Sequence, residues 1–193
     1  MYNDEDHVTH LTMSAIFEDM RLGPPPLLVR ALRKFAARAP FGARVIRSRD
    51  GMSPYLLRVV VVPRVWKFPA VFLHMFFRGD DDVEHHNHPW DVACSLVLVA
   101  GYREERMVDD SWGYGLRARR LCPGMFNIVR RNDFHRITVS GAQRRPWTLF
   151  VTSARIDEPD DEAWGFKHPG TGVYQPWRKH VNRVRARREV IHA

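Results

Sequence analysis

Two cysteines, Cys94 and Cys122, are all that 193 residues contain. That excludes a disulfide framework and fits a compartment where thiols stay reduced. No apolar run has the length of a transmembrane helix. The first ten residues, MYNDEDHVTH, are acidic and polar, the wrong texture for a secretory signal. A soluble, cytoplasmic protein without membrane contact is therefore expected. Lysine is scarce as well: 26 of the 30 basic residues are arginine. There is no internal repeat, and the only low-complexity tract is Pro24-Pro25-Pro26.

What is present begins with charge. The net charge is +8, and +5 of it lies in residues 174–193, where Arg178, Lys179, Arg183, Arg185, Arg187 and Arg188 face only Glu189. The rest of the chain is close to balanced, so a basic surface spread over the whole protein is not what the composition describes. The tail has two readings. One is a solvated, helical segment. The other is a nucleic-acid contact, since YQPWRKHVNR interleaves rings that stack on bases with cations that meet phosphate.

The length suits one domain with extra segments at its ends. Residues 1–40 read as an N-terminal helical extension, with a short helix around 12–21 and a longer one after the prolines. In the latter, Leu27, Leu28, Ala31, Leu32, Phe35 and Ala36 recur at helical spacing. Proline suits the first turn, where its missing N–H would be unpaired anyway. This helix is expected on the outside of the main domain. Residues 41–166 change texture: short β-rich runs such as PYLLRVVVV, FPAVFLHMFF and PWTLFVTSA alternate with turns rich in Gly, Asp, Asn and Pro. Many strands without intervening helices imply an all-β sandwich or barrel. Residues 167–193 form the basic C-terminal tail.

One stretch carries chemistry: VEHHNHPWD, Val83 to Asp91. Side chains alternate along a strand, so His86 and His88 point the same way and His85 and Asn87 the other. A third imidazole comes from elsewhere, and His135, at the start of the run HRITVS, is the candidate. Three histidines leave open positions on a divalent ion, as catalysis requires; a structural site would be closed by four ligands.

These motifs resemble the cupin superfamily. Its first motif, two histidines one residue apart and a glycine ending the strand, is matched by His86-Asn87-His88 and Gly101. Its second is matched by Gly124, five residues, Arg130, Asn132 and His135, with Arg130 and Asn132 where the family has proline and glycine. The HPW ending looks like a group of bacterial and phage cupins. The resemblance implies a double-stranded β-helix, or jelly-roll barrel, with its metal on His86, His88 and His135. The family's glutamate position falls near Ala93 or Cys94, while Glu84, Asp91, Glu104 and Glu105 miss the spacing. That departure looks like the three-histidine cupins, which include thiol dioxygenases with a cysteine near the place of Cys94. The implied cofactor is one divalent ion per chain, with Fe(II) favoured and Zn, Ni, Mn or Cu as alternatives. The implied function is a mononuclear non-haem dioxygenase acting on a small, anionic molecule. A metal-dependent isomerase or lyase and a non-catalytic ligand- or nucleic-acid-binding cupin are the alternatives. Edge strands make a homodimer the default.

Candidate catalytic groups are Tyr102, Cys94 and His74. Each has a plainer reading: Tyr102 as packing, Cys94 as a small apolar strand residue, His74 as a core histidine bonded to a neighbour. His85 is expected to face outward or toward an interface. Arg58, Arg78, Arg130 and Arg136 lie close enough to the proposed strands to hold an anion by paired hydrogen bonds.

Overall fold

The computed structural model describes residues 27–39, 41–48, 53–65, 68–110, 113–140, 145–156, 163–180 and 182. The helix expected around 12–21, and residues 181 and 183–193 of the basic tail, lie outside them. Among the described residues, the helix α1 (Leu27–Ala36) precedes twelve strands. These are β1 (Ala43–Arg47), β2 (Pro54–Val62), β3 (Ala70–Phe76), β4 (His85–His86), β5 (Val92–Val99) and β6 (Tyr102–Asp110). They continue as β7 (Gly113–Leu121), β8 (Phe126–Arg130), β9 (His135–Thr138), β10 (Trp147–Thr152), β11 (Gly165–Lys167) and β12 (Tyr174–Pro176).

The strands form two six-stranded antiparallel sheets, in the orders β1-β2-β3-β10-β5-β8 and β12-β11-β4-β9-β6-β7. Within them, β3-β10-β5-β8 faces β4-β9-β6-β7, which is the strand path of a jelly roll. The expected all-β class and jelly roll are what forms, with one difference. Among the described residues each sheet keeps two edges, so the architecture there is an open sandwich rather than a closed barrel. The second sheet also continues past residue 166: β11 and β12 extend it to Pro176.

Alternation assigns the faces. Leu56, Phe76 and Val97 from the first sheet meet Tyr102, Leu121 and Ile137 from the second, closing the space between them. The opposite face of the first sheet carries Leu57, Val59, Leu73, Met75 and Trp147, and Ala36 of α1 packs on it. That explains why β3 is apolar on both sides: one face lines the sandwich and the other lies under the helix. Each of these larger side chains gains about 1.5–3 kcal/mol from burial. Two motif glycines have steric reasons. Gly124 has φ +87°, which side chains rarely adopt. A Cβ on Gly101 would strike the Leu121 carbonyl. Among the described residues, no helix is long and apolar enough to cross a membrane.

Candidate metal centre

The strand register brings the histidines together. His86 on β4 pairs directly with His135 on β9. His88 lies just beyond β4, and the loop between is pinned by Asn87. The Asn87 side chain accepts from the Gly165 amide at 2.8 Å and donates to the Arg131 carbonyl at 2.9 Å. One ring nitrogen from each of His86, His88 and His135 lies within 4.8 Å of the others. His88 Nε2 and His135 Nε2 are 2.9 Å apart.

Each ring is held from behind. His135 Nδ1 lies 2.9 Å from Glu104 Oε1. A carboxylate only accepts, so Nδ1 carries the proton and Nε2 presents its lone pair to His88. His86 Nδ1 lies 3.9 Å from Asp80 Oδ2. Asp80 is itself fixed by the Tyr55 hydroxyl and the Ile137 amide, each donating at 2.6 Å. His88 stacks on Trp90, with ring centroids 4.8 Å apart. Loss of water, then the positive fields of His86, His135 and Arg58, hold the His88 pKa well below its ordinary value. It is neutral near pH 7, the form that ligates metal.

Glu104 is the site residue that sequence reasoning set aside. It is fully buried. Arg119 stands directly across from it on β7 and donates through Nε at 2.9 Å. Arg106, two residues on, donates twice, at 3.0 and 3.2 Å. Asn127 reaches over from the facing sheet at 2.8 Å. Burial alone would raise its pKa. The hydrogen bond and charge of His135, then the bonds from Arg106 and Asn127, outweigh that and hold it far below the carboxylate range. Its spacing from the HxH pair carries no signal. The usable clue was alternation, which puts Tyr102, Glu104 and Arg106 on one face of β6.

The other candidates separate. His74 is buried 5.0 Å from the Phe150 ring, and its Nε2 accepts from Arg58 Nε at 3.1 Å. Burial first, and Arg58 second, push its pKa well down. Tyr102 is buried, its hydroxyl 3.3 Å from Ser95 Oγ and accepting from Asn127 at 3.4 Å. It touches the site through Asn127 and Glu104. Cys94 points the other way: Ala93, Ser95 and Val97 are the buried positions of β5, so alternation sends Cys94 to the opposite face of that sheet. His85 differs from expectation. It is 1% exposed, lies between Glu105 and Arg136, and neither ring nitrogen has a hydrogen-bond partner among the described residues. Of the four arginines, only Arg58 is inside the sandwich near the triad. Arg78 pairs with Asp81, Arg130 is exposed on β8, and Arg136 lies near Glu105.

The donor set suits a metal ion. A divalent ion about 2.0–2.1 Å from imidazole nitrogens sets those nitrogens roughly 3.0–3.4 Å apart. The observed spread needs only small ring movements. Two lone pairs 2.9 Å apart repel unless a cation or proton sits between them.

No family model matches this sequence, and no curated protein matches it. Solved structures are similar at low identity. Fe(II) HppE is 12% identical over 56% of this chain and 54% of its own, with TM-score 0.42. KdgF from Halomonas sp. is 18% identical over 54% and 85%, with TM-score 0.38. An oxalate oxidase in complex with glycolate is 16% identical over 44% and 42%, with TM-score 0.36. The chain thus spans about half the length of HppE. By its own strand path, with His86 on β4 and His135 on β9 brought together between the two sheets, the chain has a jelly-roll fold.

Proposed function

We propose that this protein is a mononuclear metal enzyme, with one divalent ion on His86, His88 and His135 and a small anionic molecule as substrate. The observation that carries this reading is the convergence of three ring nitrogens, two of them backed by carboxylates. Iron(II) is the favoured ion, and a dioxygenase-type oxidation the favoured reaction. When bound, such an ion supplies charge stabilisation and open positions for substrate and dioxygen.

The chain's own residues have definable tasks. Glu104 orients the His135 imidazole through its hydrogen bond and raises its basicity, while Asp80 places negative charge 3.9 Å from His86 Nδ1. Three neutral ligands leave the ion's +2 charge uncompensated, which favours an anionic ligand. Arg58, half-buried on the same side of the sandwich, supports a carboxylate or similar group. Trp90 and Phe150, with ring centroids 5.6 Å apart, form an apolar wall beside His88 that excludes water. A cytoplasmic homodimer belongs to the same proposal.

The test is metal content. Untagged protein from iron-supplemented cells is expected to carry close to one iron per chain. His88→Ala, checked for an unchanged fold by circular dichroism, is expected to carry almost none. Equal iron in both proteins, or none in either after anaerobic reconstitution, would overturn the reading.

A further inference from the structure

Trp90 ends the run His88-Pro89-Trp90 and is buried beside the triad. Its ring lies nearly parallel to that of His88, with centroids 4.8 Å and planes 23° apart, and it meets the Phe150 ring edge-on at 5.6 Å. Those contacts cover the faces of the indole and leave out its one polar group. Nε1–H is enclosed and has no hydrogen-bond partner among the described residues. A second such group belongs to the same strand as Phe150. Phe150 faces the inside of the sandwich, where it meets His74 and His88. Thr152 follows it by two residues on β10, so alternation turns Thr152 inward as well, opposite the buried Ala93 of β5. Thr152 is 1% exposed, and its Oγ1 also has no partner among the described residues. Buried polar groups almost always find partners, so two without one mark a place where something else binds.

We propose that the Trp90 indole N–H and the Thr152 hydroxyl hold the carboxylate of the substrate, as a subsite next to the ion. This rests on the metal-enzyme reading above and narrows its substrate to carboxylates. An indole N–H only donates, and a threonine hydroxyl can donate, so the group they share is an acceptor. The charge around them favours an anion. The Arg64 guanidinium lies over the indole, 5.8 Å from the ring centroid, and Arg58 is held inside the sandwich against His74. The indole is stacked on an ion-binding ring, which suits a group with two oxygens: one for an open position on the ion, the other for the protein's donors. The competing account is an ordered water bridging the two groups. It predicts no change in anion binding when either group is removed.

The experiment uses the full chain loaded with Zn2+, which is diamagnetic, and acetate as the probe, titrated at constant ionic strength. Zinc content is measured in every protein. Indole N–H signals are followed by nitrogen-15 NMR, and that of Trp90 is identified by its loss in Trp90→Phe, a change that keeps a stacked ring. Acetate is expected to bind and to move the Trp90 signal downfield. By calorimetry, Trp90→Phe and the nearly isosteric Thr152→Val are each expected to bind acetate at least about tenfold more weakly, with zinc content unchanged. The threonine variant keeps the inference testable if the tryptophan variant misfolds. A Trp90 signal that stays in place, no acetate binding by the zinc-loaded wild type, or unchanged affinity in either folded variant would overturn the inference and leave the triad standing. A wild type that takes up no zinc would overturn both.

Discussion

Replacing Glu104 with alanine tests the reasoning behind the whole site. The side chain accepts hydrogen bonds from Arg106, Arg119, Asn127 and His135. The Arg119 side chain is 41% exposed and that of Arg106 22% exposed, so water recovers part of what those guanidiniums lose. Asn127 and His135 are 2% and 3% exposed and have no such recourse. Stranding each of those donors costs about 1–3 kcal/mol. With the cavity left by the side chain, the total reaches about 3–5 kcal/mol, the usual penalty for breaking a buried charged pair. For a chain of this size each kcal/mol lowers Tm by roughly 2–4 °C, so a fall of about 10 °C is expected by calorimetry. Glu104→Gln keeps the volume and loses the charge; its expected effect is mainly on metal affinity, a loss of about 10–100-fold. Should Glu104→Ala melt within about 2 °C of wild type, or Glu104→Gln bind iron as tightly, the role given to this carboxylate is wrong.

Two further outcomes are expected. Asn87→Ala removes two hydrogen bonds that anchor the loop between His86 and His88. Iron affinity should fall about tenfold by competition with a chelator while the fold persists; an unchanged affinity would mean the loop is set by something else. His74 stays neutral in the folded state because its pKa is depressed, first by burial and then by Arg58. The unfolded chain takes up that proton near pH 6.5 and the folded chain does not. Stability is therefore intact above about pH 6.5 and falls as the pH drops below it, by about 1.4 kcal/mol per pH unit from this residue. Urea unfolding of wild type and His74→Gln between pH 7 and 5.5 separates that slope from other groups; parallel slopes would refute it.

The triad was legible in the sequence because each member advertises itself locally. His86 and His88 share a face by alternation, and His135 opens a β run after a turn. The helix at 27–36 was legible for the same reason, since apolar residues at helical spacing must find a surface to cover. The rest depended on pairing between distant strands. Glu104 meets His135 because β6 and β9 are neighbours with Glu104 opposite Ile137, and it meets Arg119 because β7 lies on its other side. Alternation said that Cys94 and Ser95 face opposite ways; only the packing of the two sheets decided that Ser95 faces in. His85 is buried although its residue type and position suggested exposure. Sequence alone determined which histidines share a strand face and how each strand divides its faces, because those follow from residue type and a two-residue period. Tertiary structure decided which carboxylate stands behind which histidine, because that follows from register between segments that no local pattern encodes.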